Sequence, residues 1–315
     1  MKLVVAPSLP SLSRVEESHR PPLTVGLVQT RWHEDADEHR AVLSDGIATC
    51  AGAGAEIVFL PELTLVRYPA DTLPEGTPVA SAESLTDGPT RVFAAEQAAQ
   101  HGVYVHASLY EAPGSPEDSA LAKQDGRGYN TAILVAPSGE IVARTRKTHI
   151  PVTAGYYEDK YFRPGPAEDA YPVTPVELPA QPKIGLPTCW DEWFPEVARA
   201  YSLGGAELLA YPTAIGSEPD HPDFDTMPLW RQVIVANGIN SGLFMVVPNR
   251  WGNEGTLTFY GSSFISDPYG RVLVEAGRDE DAALVATLDL AQRKDWLDLF
   301  PFLRTRRPDT YSSLT

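Results

Sequence analysis

Two passages of this 315-residue chain are written twice, and that constrains its fold more than any other feature. "GAEIVFLPE" from Gly54 returns as "GAELLAYPT" from Gly205, and "ILVAPSGEIV" from Ile133 returns as "FISDPYGRVL" from Phe264, in the same order. Similarity repeated in order marks a duplicated supersecondary unit. The pattern around the markers tells what the unit is. "LTVGLVQT" (23–30) reads as a buried strand, 37–55 has helical spacing and ends in Gly/Ala, and 56–62 is a second strand. A helix over 87–101, a strand over 103–112 and a turn-linked strand pair over 129–147 follow. After an irregular stretch, 148–180, the series resumes. "KIGLPTC" (183–189), a helix at 195–204, "AELLAYPTA", the helical "MPLWRQVIVANGIN", "LFMVVPNR", a second turn-linked pair at 261–276 and a last strand near 282–288 complete it. Strands alternating with helices and hairpins predict an α/β fold: a four-layer α-β-β-α sandwich with internal pseudo-twofold duplication. No break in composition divides it, so residues 22–295 read as one domain. Residues 1–21 form a Pro/Ser-rich extension expected to join no core, and 296–315 form a C-terminal tail.

Composition narrows the function. At 43% hydrophobic residues the chain can bury a large core without staples. Its two cysteines, Cys50 and Cys189, supply no disulfide framework, and no CxxC or Cys/His cluster has metal-binding spacing, so neither metal nor cofactor is expected. A reducing, cytoplasmic setting is the expectation. No apolar run is long enough to span a bilayer. The formal charge of −17 would repel a polyanion, which argues against nucleic acid and mildly favours a neutral or cationic small substrate.

Three residues stand where chemistry is done in such folds, at the ends of strands. Cys189 closes "KIGLPTC" and precedes a helix start marked by Pro195 and Glu196. A thiolate there would be stabilised by a helix amino end or a lysine. A nucleophilic cysteine also needs a base and an oxyanion stabiliser, and none of the seven histidines stands in a papain-like context. Glu62 ends the apolar run "EIVFLPE", and Lys147 follows "GEIVARTR". Singly, each is an ordinary strand-end charge; together they make a Glu/Lys/Cys set.

"FLPEL", "RKTHIP" and "CWDEWFPE" resemble, in order and separation, the Glu, Lys and Cys motifs of the nitrilase, or carbon–nitrogen hydrolase, superfamily. The similarity runs from about Leu23 to Tyr311. Within the superfamily it is strongest to the N-carbamoylputrescine amidases, through "AGYYEDKYFRPG", "GAELLAYPTAIGSEP", "LTFYGSSFISDPYG" and "FLRTRRPDTYSSL". The resemblance implies Glu62 as general base, Lys147 as cationic stabiliser, Cys189 as nucleophile, Glu158 as a further acid beside the lysine, and the Trp190 amide in the oxyanion hole. Asp191 is expected to hold the turn behind the nucleophile. The implied reaction is cysteine-dependent hydrolysis of a non-peptide C–N bond, with an N-carbamoyl amine such as N-carbamoylputrescine as leading substrate. An N-carbamoyl amino acid, another small amide or a nitrile are the alternatives; an acyltransferase or a non-catalytic scaffold is a more remote one. Burial should raise the basicity of Glu62 without letting it pair permanently with Lys147. Assembly as a homodimer or larger, with the tail crossing to a neighbouring subunit, is also implied.

Departures from the family pattern touch the pocket. Leu186, Pro187 and Thr188 stand where apolar residues usually run to the nucleophile, and Pro187 forgoes a ladder hydrogen bond. "ELTLVRYPAD" lacks a bulky aromatic stretch, and "HPDFDTMPLW" replaces a charged run. A cationic substrate tail needs a carboxylate, for which Glu218, Asp220, Asp223 and Asp225 are available; a substrate carboxylate needs an arginine, for which Arg67, Arg231 and Arg250 are available.

Overall fold

The computed structural model describes residues 1–314. Each half of the chain builds the same five-stranded unit. In the first, strands Leu23–Gln29, Ile57–Phe59, Tyr104–Glu111, Tyr129–Val135 and Ile141–Arg146 lie side by side in chain order; the first three are parallel and the last two return antiparallel. In the second, Lys183–Gly185, Leu208–Ala210, Phe244–Val247, Phe264–Ser266 and Val272–Glu275 repeat that order and those directions. Even the irregularity in the closing hairpin recurs, between Leu134 and Val135 and between Ile265 and Ser266. The duplication read from the markers is a duplication of topology.

Side-chain alternation along the strands sorts the core into layers. Leu23, Val25 and Leu27 point inward with Ile57 and Phe59, against Ile184, Leu208, Phe244 and Val246 of the other sheet. Val28, Val58 and Val105 point outward onto Leu43, Ile47 and Cys50 of helix Ala36–Gly52 and Phe93, Ala94 and Ala98 of helix Pro89–His101. On the far side, Leu209, Met245 and Val247 meet Val197, Ala198 and Tyr201 of helix Pro195–Leu203 and Trp230 and Ile234 of helix Met227–Ser241. The result is helix, sheet, sheet, helix, as expected. Each fully buried large apolar side chain contributes about 1.5–3 kcal/mol, so three interlayer clusters hold the sandwich closed.

Several elements depart from the sequence reading. Residues 1–21 are not free of the core: Lys2–Val5 pairs in parallel with Ala282–Leu288, and Val4 and Ala6 pack on the inner cluster. The short "KLVV" run suffices because a sheet edge offers unpaired backbone groups. Helices Pro116–Asp125 and Ala291–Leu299 carry weak apolar periodicity and went unpredicted. The 148–180 stretch contains one turn of α-helix, Glu158–Tyr161, a 3₁₀ turn, Ala167–Asp169, and a two-residue strand, Thr174–Pro175. Lys183–Gly185 is far shorter than "KIGLPTC", leaving Pro187 in the connector, where its missing amide costs the ladder nothing. No helix among the described residues is long and apolar enough to cross a membrane. Thr315 of the predicted tail lies outside the described residues.

Gly185 shows how tightly the second helix layer sits. A Cβ there would overlap the Tyr201 ring and lie 2.6 Å from Leu209 Cδ2. Gly185→Ala is therefore expected to cost about 1–3 kcal/mol by overpacking. Thermal unfolding should register it as a drop of roughly 2–4 °C per kcal/mol.

Candidate active site

The chain leaves the strand Ile57–Phe59 and turns sharply, with Leu63 at φ 50°. That turn carries Glu62 and is pinned from behind. Arg250 Nη2 donates to the carbonyl oxygens of Glu62 (2.7 Å), Leu63 (3.1 Å) and Val66 (3.2 Å), while its Nη1 binds both oxygens of Glu254 at 2.8 Å. Ser108 Oγ accepts from the Leu63 amide at 3.1 Å. The Glu62 carboxylate is thus aimed by a backbone that has little freedom to move.

Lys147 follows the strand Ile141–Arg146, its amide bonded to the Asn130 carbonyl at 2.8 Å. The ammonium is fully buried and makes three contacts: Glu62 Oε1 at 2.8 Å and the two Glu158 oxygens at 2.9 and 2.8 Å. Asn130 Nδ2 donates to Glu62 Oε1 at 2.7 Å, and the Tyr68 hydroxyl donates to Glu158 Oε1 at 2.8 Å. Glu62 Oε2 is buried and has no partner among the described residues. Glu62 is expected from the sequence not to pair permanently with Lys147; in the structure one of its two oxygens is paired. A buried ammonium is held by the carboxylates around it, since an uncompensated charge there would be prohibitive. One oxygen of Glu62 is spent on that pairing, and the other is free.

Cys189 lies at the exit of the other sheet with φ 38°, a left-handed conformation costing a non-glycine residue about 1–3 kcal/mol. Two clasps hold it there. Its amide donates to the Pro212 carbonyl at 3.0 Å, and Asp191 gathers four donors: the amides of Thr188 (3.1 Å), Thr148 (3.3 Å) and His149 (2.9 Å), and His149 Nδ1 at 2.7 Å. Asp191 therefore ties the cysteine turn to the segment just after Lys147. Trp190, half-buried, sits in the first turn of the 3₁₀ helix Cys189–Trp193, where amides have no intrahelical acceptor.

Electrostatics assign the resting protonation state. Burial pushes the Cys189 thiol well above its ordinary pKa, and the Glu62 charge adds to the effect, while Lys147 pulls the other way. The sulfur is therefore held as a thiol until a base takes its proton, as the need for a base beside Cys189 implied. For Lys147, burial alone would favour the neutral amine, but Glu158 and Glu62 more than reverse it and hold the ammonium charged. Burial lifts the Glu158 carboxyl to about 7, with Lys147 opposing and Glu62 assisting.

The structure thus brings Glu62, Lys147 and Glu158 into direct contact, with Cys189 within electrostatic reach of all three. Asn130, Tyr68 and His149 escaped the sequence reading, and Arg250, considered there for a substrate carboxylate, instead braces the turn that carries Glu62. Asn130 and Arg250 had a signal, a polar residue at the end of an apolar strand; His149 lies two residues beyond Lys147 but was weighed only as a base. No group of His, Cys, Asp and Glu suited to a metal occurs among the described residues.

Residues 24–297 match the family model of the carbon-nitrogen hydrolases. The chain belongs to that family. A citrullinase from Francisella tularensis is 33% identical, the match covering 93% of this chain and 98% of the relative. An N-carbamoylputrescine amidase from Solanum lycopersicum is also 33% identical, covering 93% and 94%. The crystal structure of a carbon-nitrogen hydrolase from Helicobacter pylori superposes with a TM-score of 0.78 at 27% identity, covering 94% of this chain and 99% of that one. As a carbon–nitrogen hydrolase the protein is an amidohydrolase, and its fold is that of the nitrilase superfamily.

Since Glu158 and Glu62 share one ammonium, protonating Glu158 removes one of the two charges that hold Lys147 and leaves the ammonium committed to Glu62 alone. Activity in kcat/KM should accordingly rise with pH through about 7, where Glu158 ionises. Glu158→Gln should remove that limb and lower the plateau. A pH–rate profile of the variant with an unchanged acid limb would contradict the assignment.

Proposed function

We propose that the enzyme hydrolyses a terminal ureido group on a short alkylammonium chain, with N-carbamoylputrescine as the leading substrate. The observation that carries this is Glu218. Of the four acidic residues considered, it is the half-buried one, raised by that burial above its ordinary pKa, and it acts on the Tyr156 phenol, which also feels Cys189 and Glu158. A carboxylate there lies across one tyrosine from the reacting centre, and no hydrogen-bonded cation occupies it among the described residues. Asp225, by contrast, binds Arg278 at 2.6 Å, and Asp220 and Asp223 are exposed.

The rival N-carbamoyl amino acid would want a free arginine. Arg67 is engaged by Asp71, Arg231 by Glu275 and Arg250 by Glu254, so each candidate already has its carboxylate. Citrulline and N-carbamoylputrescine share a ureido group and an ammonium, which makes the names of the two relatives chemically consistent with one pocket type. Citrulline differs in its carboxylate, for which none of these three arginines is free.

In the proposed mechanism Glu62, through its free Oε2, takes the Cys189 proton as the sulfur attacks the ureido carbon. Lys147 and the Trp190 amide stabilise the developing oxyanion, a task worth about 3–4 kcal/mol for one well-placed donor. Glu62 returns the proton to the leaving nitrogen, ammonia departs, and a thiocarbamate remains on Cys189. Water activated by Glu62 then releases a carbamic acid, which breaks down to amine and carbon dioxide. A homodimer or larger assembly fits the same reading, with exposed Leu299, Phe300 and Tyr311 near the tail as its contact surface.

Ammonia release from N-carbamoylputrescine, N-carbamoyl-β-alanine, an aliphatic amide and a nitrile tests the substrate class; silence on both N-carbamoyl compounds would discard it. Cys189→Ala should abolish turnover and leave folding intact. Glu218→Gln should raise KM for N-carbamoylputrescine tenfold or more, in line with the roughly 1.5–3 kcal/mol of a charged hydrogen bond. It should leave KM for N-carbamoyl-β-alanine unchanged or lower. An unaltered KM for the cationic compound would remove Glu218 from the pocket.

A further inference from the structure

A third buried carboxyl stands beside the nucleophile and has no place in the mechanism above. Glu192 lies in the same 3₁₀ turn as Cys189 and is fully buried. Its Oε1 accepts from the Trp230 indole Nε1–H at 2.7 Å, its carbonyl oxygen accepts from Asn237 Nδ2 at 2.9 Å, and its Oε2 has no partner among the described residues. Trp230 and Asn237 belong to helix Met227–Ser241, which begins directly after the loop bearing Glu218. Glu192 is therefore the point at which the nucleophile turn is fastened to the helix that follows the substrate loop.

Its charge state follows from the company it keeps. Among the described residues Lys147 is the only ammonium in contact with the buried carboxyls of this site, and its three hydrogen bonds go to Glu62 and Glu158, none to Glu192. Trp230 offers one neutral donor. Burial, reinforced by the Glu62 charge, pushes the Glu192 carboxyl well above the usual range, against the Trp230 hydrogen bond and Lys147. With the indole donating to Oε1, a proton on this acid would sit on Oε2. The groups that respond to this carboxyl are Cys189, whose thiol a negative Glu192 would raise further, and the buried phenols of Tyr211 and Tyr260.

We propose that Glu192 is a positioning residue for Cys189 that functions as a neutral carboxylic acid. Its indole-anchored carboxyl fixes the nucleophile turn, and its lack of charge keeps the thiol within reach of Glu62 as a base. A glutamine should replace it, because the amide oxygen can accept from Trp230 and the amide nitrogen can occupy the Oε2 position. An apolar leucine should not, since it leaves the Trp230 N–H buried and unsatisfied.

The proposal rests on Cys189 as the nucleophile, so the test reads the sulfur directly. Iodoacetamide alkylates it, forming a sulfur–carbon bond and expelling iodide while the thiol proton passes to Glu62 or solvent. The rate at Cys189 is followed by mass spectrometry from pH 6 to 10 in a Cys50→Ala background, alongside ammonia release with whichever panel compound the parent enzyme turns over. Glu192→Gln is expected within about threefold of the parent at neutral pH and equal or faster at alkaline pH, having no charge to acquire. Glu192→Leu, and Trp230→Phe should the first variant not fold, are expected to slow alkylation and kcat tenfold or more with KM within twofold. The proposal is overturned if Glu192→Gln is as slow as Glu192→Leu, or if Glu192→Leu and Trp230→Phe both match the parent. Turnover by Cys189→Ala would instead sink the nucleophile assignment itself, so the two failures are distinguishable.

Discussion

A single buried ammonium organises this protein. Lys147 is fully buried and can exist there only if its charge is met, which two carboxylates from distant parts of the chain do. That requirement fixes where the exit of Ile57–Phe59, the end of Ile141–Arg146 and the short helix Glu158–Tyr161 must meet. It also divides the labour between the carboxylates. Glu158 gives the lysine two oxygens and takes a phenol donor from Tyr68; Glu62 gives one oxygen and keeps the other unpartnered. An acceptor without a donor is costly in a folded interior, and such a group is retained where a proton must arrive.

The duplicated scaffold makes the site possible by being used unequally. The two halves share strand order, directions and even the hairpin irregularity, yet they place different residues at matching exits. Glu62 in "GAEIVFLPE" corresponds to Thr213 in "GAELLAYPT". By the strand register that pairs Gly26 with Val58 and Gly185 with Leu209, Cys189 corresponds to Thr30. One half thus carries the carboxylate and the lysine, and the other carries the sulfur. Asp191 joins them, holding the cysteine turn through Thr188 and the lysine segment through Thr148 and His149. Strain is concentrated at both exits, at Leu63 and Cys189, which the surrounding hydrogen bonds can afford to hold.

Much of this was legible beforehand. Glu62, Lys147, Cys189 and Glu158 stand in local patterns, strand ends beside turns, that one-dimensional reading detects. The roles of Asn130, Arg250 and Glu192 are not local in that way. Each acts on a residue far away in the chain: Arg250 on a turn 188 positions earlier, Asn130 on the same carboxylate across 68, and Trp230 on Glu192 across 38. The charge states were decided at a distance as well. A lysine stabilises a neighbouring thiolate only as far as its charge is uncommitted, and the two carboxylates that commit Lys147 come from 85 and 11 residues away.

The sequence by itself determined the repeating unit, the four layers and the strand ends from which the candidate site is built, because strand alternation, helix spacing and turn residues are local properties that each segment carries with it. Only the tertiary structure decided the short strand before Cys189, the docking of the first residues on a sheet edge, the commitment of Lys147, and the occupation of the three candidate arginines. Those outcomes depend on which charges and backbone groups are left unpaired once distant segments are buried together. Electrostatic compensation in a water-free interior is a property of the assembled neighbourhood, not of any one segment.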